Sequence, residues 1–268
     1  MQQNRVVLIT GASSGFGRSI ASLLTERGFT VFGTSRRLQG SKADGFEMLE
    51  LNVDSDESVQ RCVQNLLQKT GRLDILVNNA GYLLDGAIEE TSIQEAKSQF
   101  ETNFFGTVRM VKAVLPIMRK QGNGQIINMS SLAGTIALPF SGFYSAGKAA
   151  ILAYSEALRH EVKSFNIKVS TVEPGFFKTN IMNSSKHVSE PIQEYSEMSS
   201  RVRSRAIEVT ENGADPKLVA ETVLRTIENH SPKLHYRVGR ESKYVTIKKI
   251  LPESMFESRV RKFSRLDG

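Results

Sequence analysis

A lone cysteine, Cys62, cannot close a disulfide within its own chain and fits a reducing compartment. Its setting, Val59-Gln60-Arg61-Cys62-Val63-Gln64-Asn65-Leu66-Leu67, puts it on the apolar face of a helical pattern, as a small core hydrophobe rather than a reactive thiol. No apolar run approaches the ~20 residues needed to cross a bilayer, so no integral membrane segment is expected. A strand pattern begins almost at the first residue, and the expectation is a cytoplasmic protein. The four histidines, His160, His187, His230 and His235, are scattered without ligand spacing, so no metal centre is expected. Internal repeats, low-complexity segments and an obvious interdomain linker are absent. So are a stacking aromatic platform and a DNA-binding motif, which leaves the net charge of +7 without support as a nucleic-acid footprint.

What is present suits a globular α/β protein. The 268 residues are enough for one large domain and a substantial core, and one domain over 1–268 is expected. Arg5-Val6-Val7-Leu8-Ile9-Thr10 is an apolar run of strand length, as in a strand buried on both faces. Gly11-Ala12-Ser13-Ser14-Gly15-Phe16-Gly17 follows at once, and then the helical pattern Ile20, Leu23, Leu24. Strand, glycine turn and helix start are the parts of a dinucleotide phosphate site. The glycines let the backbone approach the pyrophosphate, and the helix start offers free N–H groups. The positive charge of the chain can help hold such a polyphosphate.

The second strand, Thr30 to Ser35, ends in Arg36-Arg37. In dinucleotide sites an acid here bonds the adenosine ribose, whereas an Arg accommodates a 2′-phosphate, so NADP is favoured over NAD. Phe46 to Leu51 reads as a third strand leading into Asn52-Val53-Asp54. A helix from about Asp56 to Thr70, capped by Ser55 or Asp56, comes next. Leu73 to Val77 is a fourth strand running into Asn78-Asn79-Ala80-Gly81. A long helical region passes through Asn103 and Gly106 to about Lys120, and a fifth strand, Gln125 to Ser131, ends in two hydroxyls. Ile167 to Val172 and Lys233 to Gly239 read as sixth and seventh strands, the former followed by Glu173-Pro174-Gly175 and, later, Thr179. Strands alternating with helices imply an α/β fold with one doubly wound parallel sheet of about seven strands and helices on both faces.

Tyr144 and Lys148 open the long amphipathic run through Leu158 and, four residues apart, share one helix face. An ammonium beside a phenol favours phenolate, which would lower a pKa that is ~10 when unperturbed and suit it to acid/base work near neutral pH. Alone, such a pair is common on helix surfaces; the company it keeps gives it meaning. The glycine turn spaced Gly-x-x-x-Gly-x-Gly, the complete Asn78-Asn79-Ala80-Gly81, the Asn103-x-x-Gly106 element, Ser131 placed 13 residues before Tyr144, and Tyr144-x-x-x-Lys148 occur in order. Over nearly the whole chain this resembles the short-chain dehydrogenase/reductase family, and Arg36-Arg37 together with the C-terminal extension resemble, in pattern only, its 17β-hydroxysteroid and retinol dehydrogenase-like branch.

The resemblance implies a Rossmann fold and a tetrad of Asn103, Ser131, Tyr144 and Lys148. A proton would pass between the substrate oxygen and Tyr144, and Ser131 would hold that oxygen. Lys148 together with the positive oxidised nicotinamide would lower the Tyr144 pKa, Lys148 would also bind the nicotinamide ribose, and Asn103 would anchor a water linking Lys148 to solvent. It also implies a cofactor site for NADP(H). Gly11, Ser13, Ser14, Gly15, Phe16 and Gly17 would lie at the phosphates, with Arg36 and Arg37 at the 2′-phosphate. Asn52 and Val53 would lie near the adenine, with Asn52 standing where the family usually has an acid. Asn79, Ala80 and Gly81 would contact the cofactor, and Pro174, Gly175 and Thr179 would form the nicotinamide-side loop.

The segments expected around the substrate are apolar, with Ser131, Leu138, Phe140, Tyr144 and Phe176 as contacts, which suits a hydrophobic alcohol or ketone. Residues 181–212, polar and interrupted by Pro191, read as a substrate lid or, alternatively, an inert surface insertion; Ser184 to Ser204 is the least regular part. In the C-terminal extension, about 240–268, an apolar and basic stretch is broken by Pro252. Basic amphipathic helices can lie on membranes, but the expected reading is a helix packed beside the substrate mouth, with Arg259 to Arg265 frayed. The apolar faces of Phe104 to Met118 and Ala149 to Leu158 imply, by the same resemblance, a homodimer or homotetramer. An NADP-binding regulatory protein without turnover is the alternative, against which the intact tetrad argues.

Overall fold

The computed structural model describes residues 4–38, 45–182 and 185–267. Asn183 and Ser184 of the expected lid, and the ends of the 1–268 span, lie outside the described residues. The apolar runs become strands β1 (Val6–Ile9), β2 (Thr30–Ser35), β3 (Glu47–Glu50), β4 (Ile75–Asn78), β5 (Gly124–Met129), β6 (Ile167–Pro174) and β7 (His235–Val238). They form one parallel sheet in the order β3-β2-β1-β4-β5-β6-β7. The strand order reverses beside β1, so the carboxyl ends of β1 and β4 border a crevice, the place where open α/β sheets bind ligands.

Both faces of the sheet are covered, and β1 shows how. Val7 and Ile9 pack with Ile20 and Leu24 of α1 (Gly15–Glu26), and this cluster also holds Val219 and Val223, later in the chain. Val6 and Leu8 point the other way, into a cluster with Val59 and Cys62 of α2 (Asp56–Thr70). Alternation along a strand buried on both sides leaves no polar face, which is why these strands read as unbroken apolar runs. Cys62 is buried, and burial pushes its thiol up to about 12, so it behaves as a core hydrophobe. α2 keeps its sequence bounds because both ends are specified: the Ser55 hydroxyl accepts from Ser58 N, and Gly71 closes the helix at φ 69°.

The long helical region is not one helix. A capping box of Ser92 and Glu95 starts α3 (Ile93–Phe100), a π-helical turn occupies Glu101–Phe105, and α4 (Gly106–Gln121) continues. A Cβ on Gly106 would lie 2.8 Å from Val53 Cγ2, so the glycine lets α4 approach the loop after β3. Beyond β5, α5 (Gly142–Glu161) carries Tyr144 and Lys148 in its first two turns.

Two expectations are corrected. The supposedly irregular lid contains a helix, α6 (Ser196–Glu211), and a two-residue parallel ladder that pairs Leu84 with Lys186 and Asp85 with His187. After α7 (Lys217–Glu228) and β7, the C-terminal segment forms α8 (Lys243–Ile250) and α9 (Glu253–Phe263). Arg259 to Arg265 is not frayed. The Phe263 ring lies 5.7 Å from that of Phe176, Arg205 sits over Phe263, and Arg265 bonds Glu208. These cross-chain contacts anchor the end of α9, and local sequence carries no trace of them. Among the described residues no helix is long and apolar enough to cross a membrane.

Candidate active site

At the end of β1 the chain must turn sharply into α1. Gly11 and Gly15 take φ of 67° and 55°, the left-handed region where a side chain would be strained. No side chain caps α1, so its first N–H groups remain open to an anion. Gly17 is needed for another reason: a Cβ there would meet Gly11 O at 2.3 Å and Asn79 Nδ2 at 2.6 Å. Asn79 ties the turn to β4, its Nδ2 donating to the carbonyls of Thr10 (2.9 Å) and Gly11 (3.0 Å). Thr10 Oγ1 completes the tie by accepting from the N–H groups of Asn79 and Ala80.

This turn is one wall of a polar cavity of about 740 Å³. Of the residues expected at a cofactor, Gly11, Ser13, Ser14, Gly15 and Phe16 line it, as do Arg36, Arg37, Asn52 and Val53. Asn79, Ala80, Gly81, Tyr144, Lys148 and Thr179 line it too. Gly17 is buried beneath the turn and acts on its shape, while Pro174 and Gly175 line a neighbouring cavity instead. Asn52 uses its carboxamide to accept from Asp54 N at 3.2 Å, ordering the loop. Asp54, Thr102 and Lys186 are among the residues of this wall that the sequence did not single out. Asp54 has one buried oxygen without a hydrogen-bond partner, Thr102 bonds its other oxygen, and Lys186 comes from the lid. For Asp54 the available signal was an acid immediately after Val53; for Lys186 there was none.

Asn103 lies in the π-helical turn, and its carboxamide is committed to Tyr82. Nδ2 donates to Tyr82 O at 2.8 Å and Oδ1 accepts from Tyr82 N at 3.0 Å. Gly81 must be glycine beside it, since a Cβ would meet Asn103 Oδ1 at 2.9 Å. This carboxamide therefore positions the loop after β4. Ser131, following β5, donates to Pro174 O at 3.3 Å and accepts from Ala133 N at 3.1 Å. Its neighbour Ser130, not among the expected site residues, donates to Lys148 O at 2.8 Å and ties β5 to α5.

The buried Lys148 sends its Nζ to Met129 O at 2.8 Å. Desolvation lowers its ammonium to about 8. Tyr144 keeps part of its surface open to the cavities, yet the protein crowding it raises the phenol above its ordinary value, with the Ser131 hydroxyl pulling the other way. The lowering expected of the Tyr144 phenol is tied to Lys148 together with the positive nicotinamide; the protein packed around it acts in the opposite direction. Lys148 Nζ stands 5.7 Å from the Tyr144 ring centroid, and burial outweighs the cation.

A second cavity, of about 700 Å³ and mainly apolar walls, adjoins the first. Ser131, Leu138, Phe140, Tyr144 and Phe176 all line it, as expected. Tyr144 and Ser130 line both cavities. Lid residues such as Met182, Val188 and Ala206 close one side, and Phe256, Val260 and Phe263 of α9 another. The lid is held by acidic side chains of the body: Glu95 accepts from Ser189 N, Glu90 from Ile192 N, and Glu89 from Tyr195 OH. Phe140, in the left-handed region at φ 60°, sets its ring edge-on to Tyr195, 6.2 Å away. Among the described residues no group of three or more His, Cys, Asp or Glu side chains gathers as a metal site.

A family model described as short chain dehydrogenase matches residues 5–190. The chain is 40% identical over 268 residues to 3-ketodihydrosphingosine reductase of Bacteroides thetaiotaomicron, covering 97% of this chain and 98% of that one. A solved short-chain dehydrogenase from Streptomyces avermitilis superposes with a TM-score of 0.84 at 33% identity, covering 98% of each chain. ElxO, solved with NADP bound, superposes with a TM-score of 0.75 at 27% identity, over 91% of this chain and 100% of that one.

Proposed function

Because the chain belongs to the short-chain dehydrogenase family of oxidoreductases, we propose that it uses NADP(H) to interconvert a carbonyl and an alcohol on a hydrophobic small molecule, with Tyr144 as general acid/base. One observation carries this reading: Tyr144 lines both the polar cavity of the glycine turn and the apolar cavity beside it. A group that moves a proton between substrate and solvent while hydride crosses from a cofactor belongs at that junction.

The polar cavity fits a dinucleotide. Its left-handed glycines, open helix start and the Gly17 contact that any Cβ would fill form a phosphate cradle. Gly11 to Phe16 would hold the pyrophosphate, Arg36 and Arg37 the 2′-phosphate, and Lys148 a ribose. When bound, the nicotinamide supplies or accepts the hydride. The rest is the work of the chain. Tyr144 gives its phenolic proton to the carbonyl oxygen in reduction and takes it back in oxidation. The Ser131 hydroxyl, which accepts from Ala133 N and rests its one proton on Pro174 O, would turn that proton to the same oxygen and fix its position. The lid over 181–212 excludes water from the apolar cavity, and the extension over 240–268 completes its wall, both within the one domain.

The apolar lining favours a long hydrocarbon substrate over a phosphorylated sugar. The relative named as 3-ketodihydrosphingosine reductase makes a long-chain ketone the first to try. The test is NADPH oxidation across long-chain, steroid, retinoid, quinone and short aliphatic carbonyls, run in both directions. Cofactor binding with no turnover on any of them would move the assignment to a cofactor-binding protein without activity.

A further inference from the structure

The C-terminal helices have two kinds of surface. On α9, Phe256, Val260 and Phe263 recur at helical spacing and line the apolar cavity. The adjoining flank carries Met255, Arg259 and Lys262, also at helical spacing; Met255 is 51% exposed and outside the cavity, while Arg259 and Lys262, though exposed, also line it. On α8, Val245 is the buried residue, while Lys243 and Ile250, seven apart, share the face turned away from it. Ile250 is 75% exposed, the most exposed large apolar side chain among the described residues. Ile250 and Met255 flank the corner at Leu251 and Pro252 where the two helices meet.

Charge is concentrated on the same segment. Residues 240–268 hold eight Lys or Arg and four Asp or Glu, a net +4 out of the +7 of the whole chain. Apolar side chains standing among cations on short helices are the pattern of a segment that lies in a bilayer interface, with apolar residues in the acyl boundary and cations at anionic headgroups. Single exposed apolar residues are ordinary on any surface; here two lie five residues apart at a helix corner that itself carries Glu253 and Glu257, with Lys248 and Lys249 just before it and Arg259, Arg261 and Lys262 just after.

We propose that the α8–α9 corner is a peripheral docking surface for an anionic lipid bilayer, with Ile250 and Met255 inserting and Lys243, Arg259 and Lys262 meeting the headgroups. The two helices that meet lipid would then also wall the apolar cavity, since Tyr244, Phe256 and Phe263 line it. A hydrophobic ketone dissolved in the bilayer would reach that cavity without crossing bulk water. Docking does not depend on the cofactor or on turnover, so it stands or falls separately from the proposed activity.

The test is co-sedimentation of the full chain with vesicles of phosphatidylcholine and phosphatidylglycerol in equal amounts, beside vesicles of phosphatidylcholine alone. The wild type should sediment with the mixed vesicles and far less with the neutral ones. Ile250→Ser combined with Met255→Ser should reduce partitioning at least about tenfold at every salt concentration. Lys243→Glu should reduce it at low salt, with the deficit shrinking as salt rises. Ile250 and Met255 do not line either cavity, so unchanged melting and unchanged reduction of a water-soluble ketone would show an intact fold. A wild type that remains in solution with mixed vesicles overturns the proposal. So does a double variant that partitions like the wild type, because binding would then be unspecific attraction of a basic protein.

Discussion

Lys148 Nζ donates to the carbonyl oxygen of Met129, 2.8 Å away at the end of β5, so the buried cation is held by the sheet. Burial brings its ammonium down to about 8, within reach of ordinary assay conditions. Below that pH Lys148 is charged; as pH rises through it, the proton and the positive charge beside Tyr144 are lost. We therefore expect kcat/KM for carbonyl reduction, which reports groups of the free enzyme, to fall as pH rises above about 8. Lys148→Met should remove that limb and weaken cofactor binding. The stability linkage has the opposite sense. Between about 8 and 10.5 the unfolded chain binds more protons at this position than the folded one, so the Lys148 contribution to stability rises with pH. A kcat/KM profile flat to pH 10 would exclude Lys148 from the proton path.

Tyr144→Phe keeps the ring and its packing but removes the transferable proton. NADPH should still bind, while turnover drops by at least ~10²-fold. Stopped-flow hydride transfer and a separate binding titration distinguish the two effects. Normal turnover in this variant would end the assignment of Tyr144.

Arg36 and Arg37 stand at the end of β2 on the wall of the polar cavity. The loss of one charge-assisted phosphate contact costs about 1.5–3 kcal/mol, or roughly one to two decades in affinity. Arg36→Asp should erode or reverse a preference for NADPH, and the double substitution should do so more completely. Equal affinities of the wild type for NADH and NADPH, measured by titration, would reject the 2′-phosphate role.

Gly17→Ala tests the cradle from below. Its Cβ would lie 2.3 Å from Gly11 O, a backbone atom that moves only if the turn does. We expect a loss of about 1–3 kcal/mol in stability, together with weakened dinucleotide binding. A variant that melts and binds like the wild type would show that the turn has slack.

Assembly is the last expectation. Phe105 is exposed beside Phe104, whose ring also meets Tyr154 of α5, leaving aromatic side chains between the π-helical turn before α4 and α5. Light scattering should report a homodimer or homotetramer, and a monomer at micromolar concentration would remove that reading.

Short-range chemistry was legible before folding. Ser55 and Gly71 specified α2, the alternation of Val6, Val7, Leu8 and Ile9 required cover on both faces of the sheet, and the glycines announced a turn that only they could make. Each of these rests on interactions within a few residues, so the sequence alone determined them. It also placed Ser131, Tyr144 and Lys148 in order, but not the environment that sets their charge. The raised phenol of Tyr144 comes from protein packed around it from distant segments, and the partner of Lys148 is a carbonyl 19 residues away. The commitment of Asn103 to Tyr82, the ladder between Leu84–Asp85 and Lys186–His187, and the anchoring of α9 by Phe176, Arg205 and Glu208 are of the same kind. Desolvation and contacts across many residues depend on where the chain returns in space, and that only the tertiary structure decided.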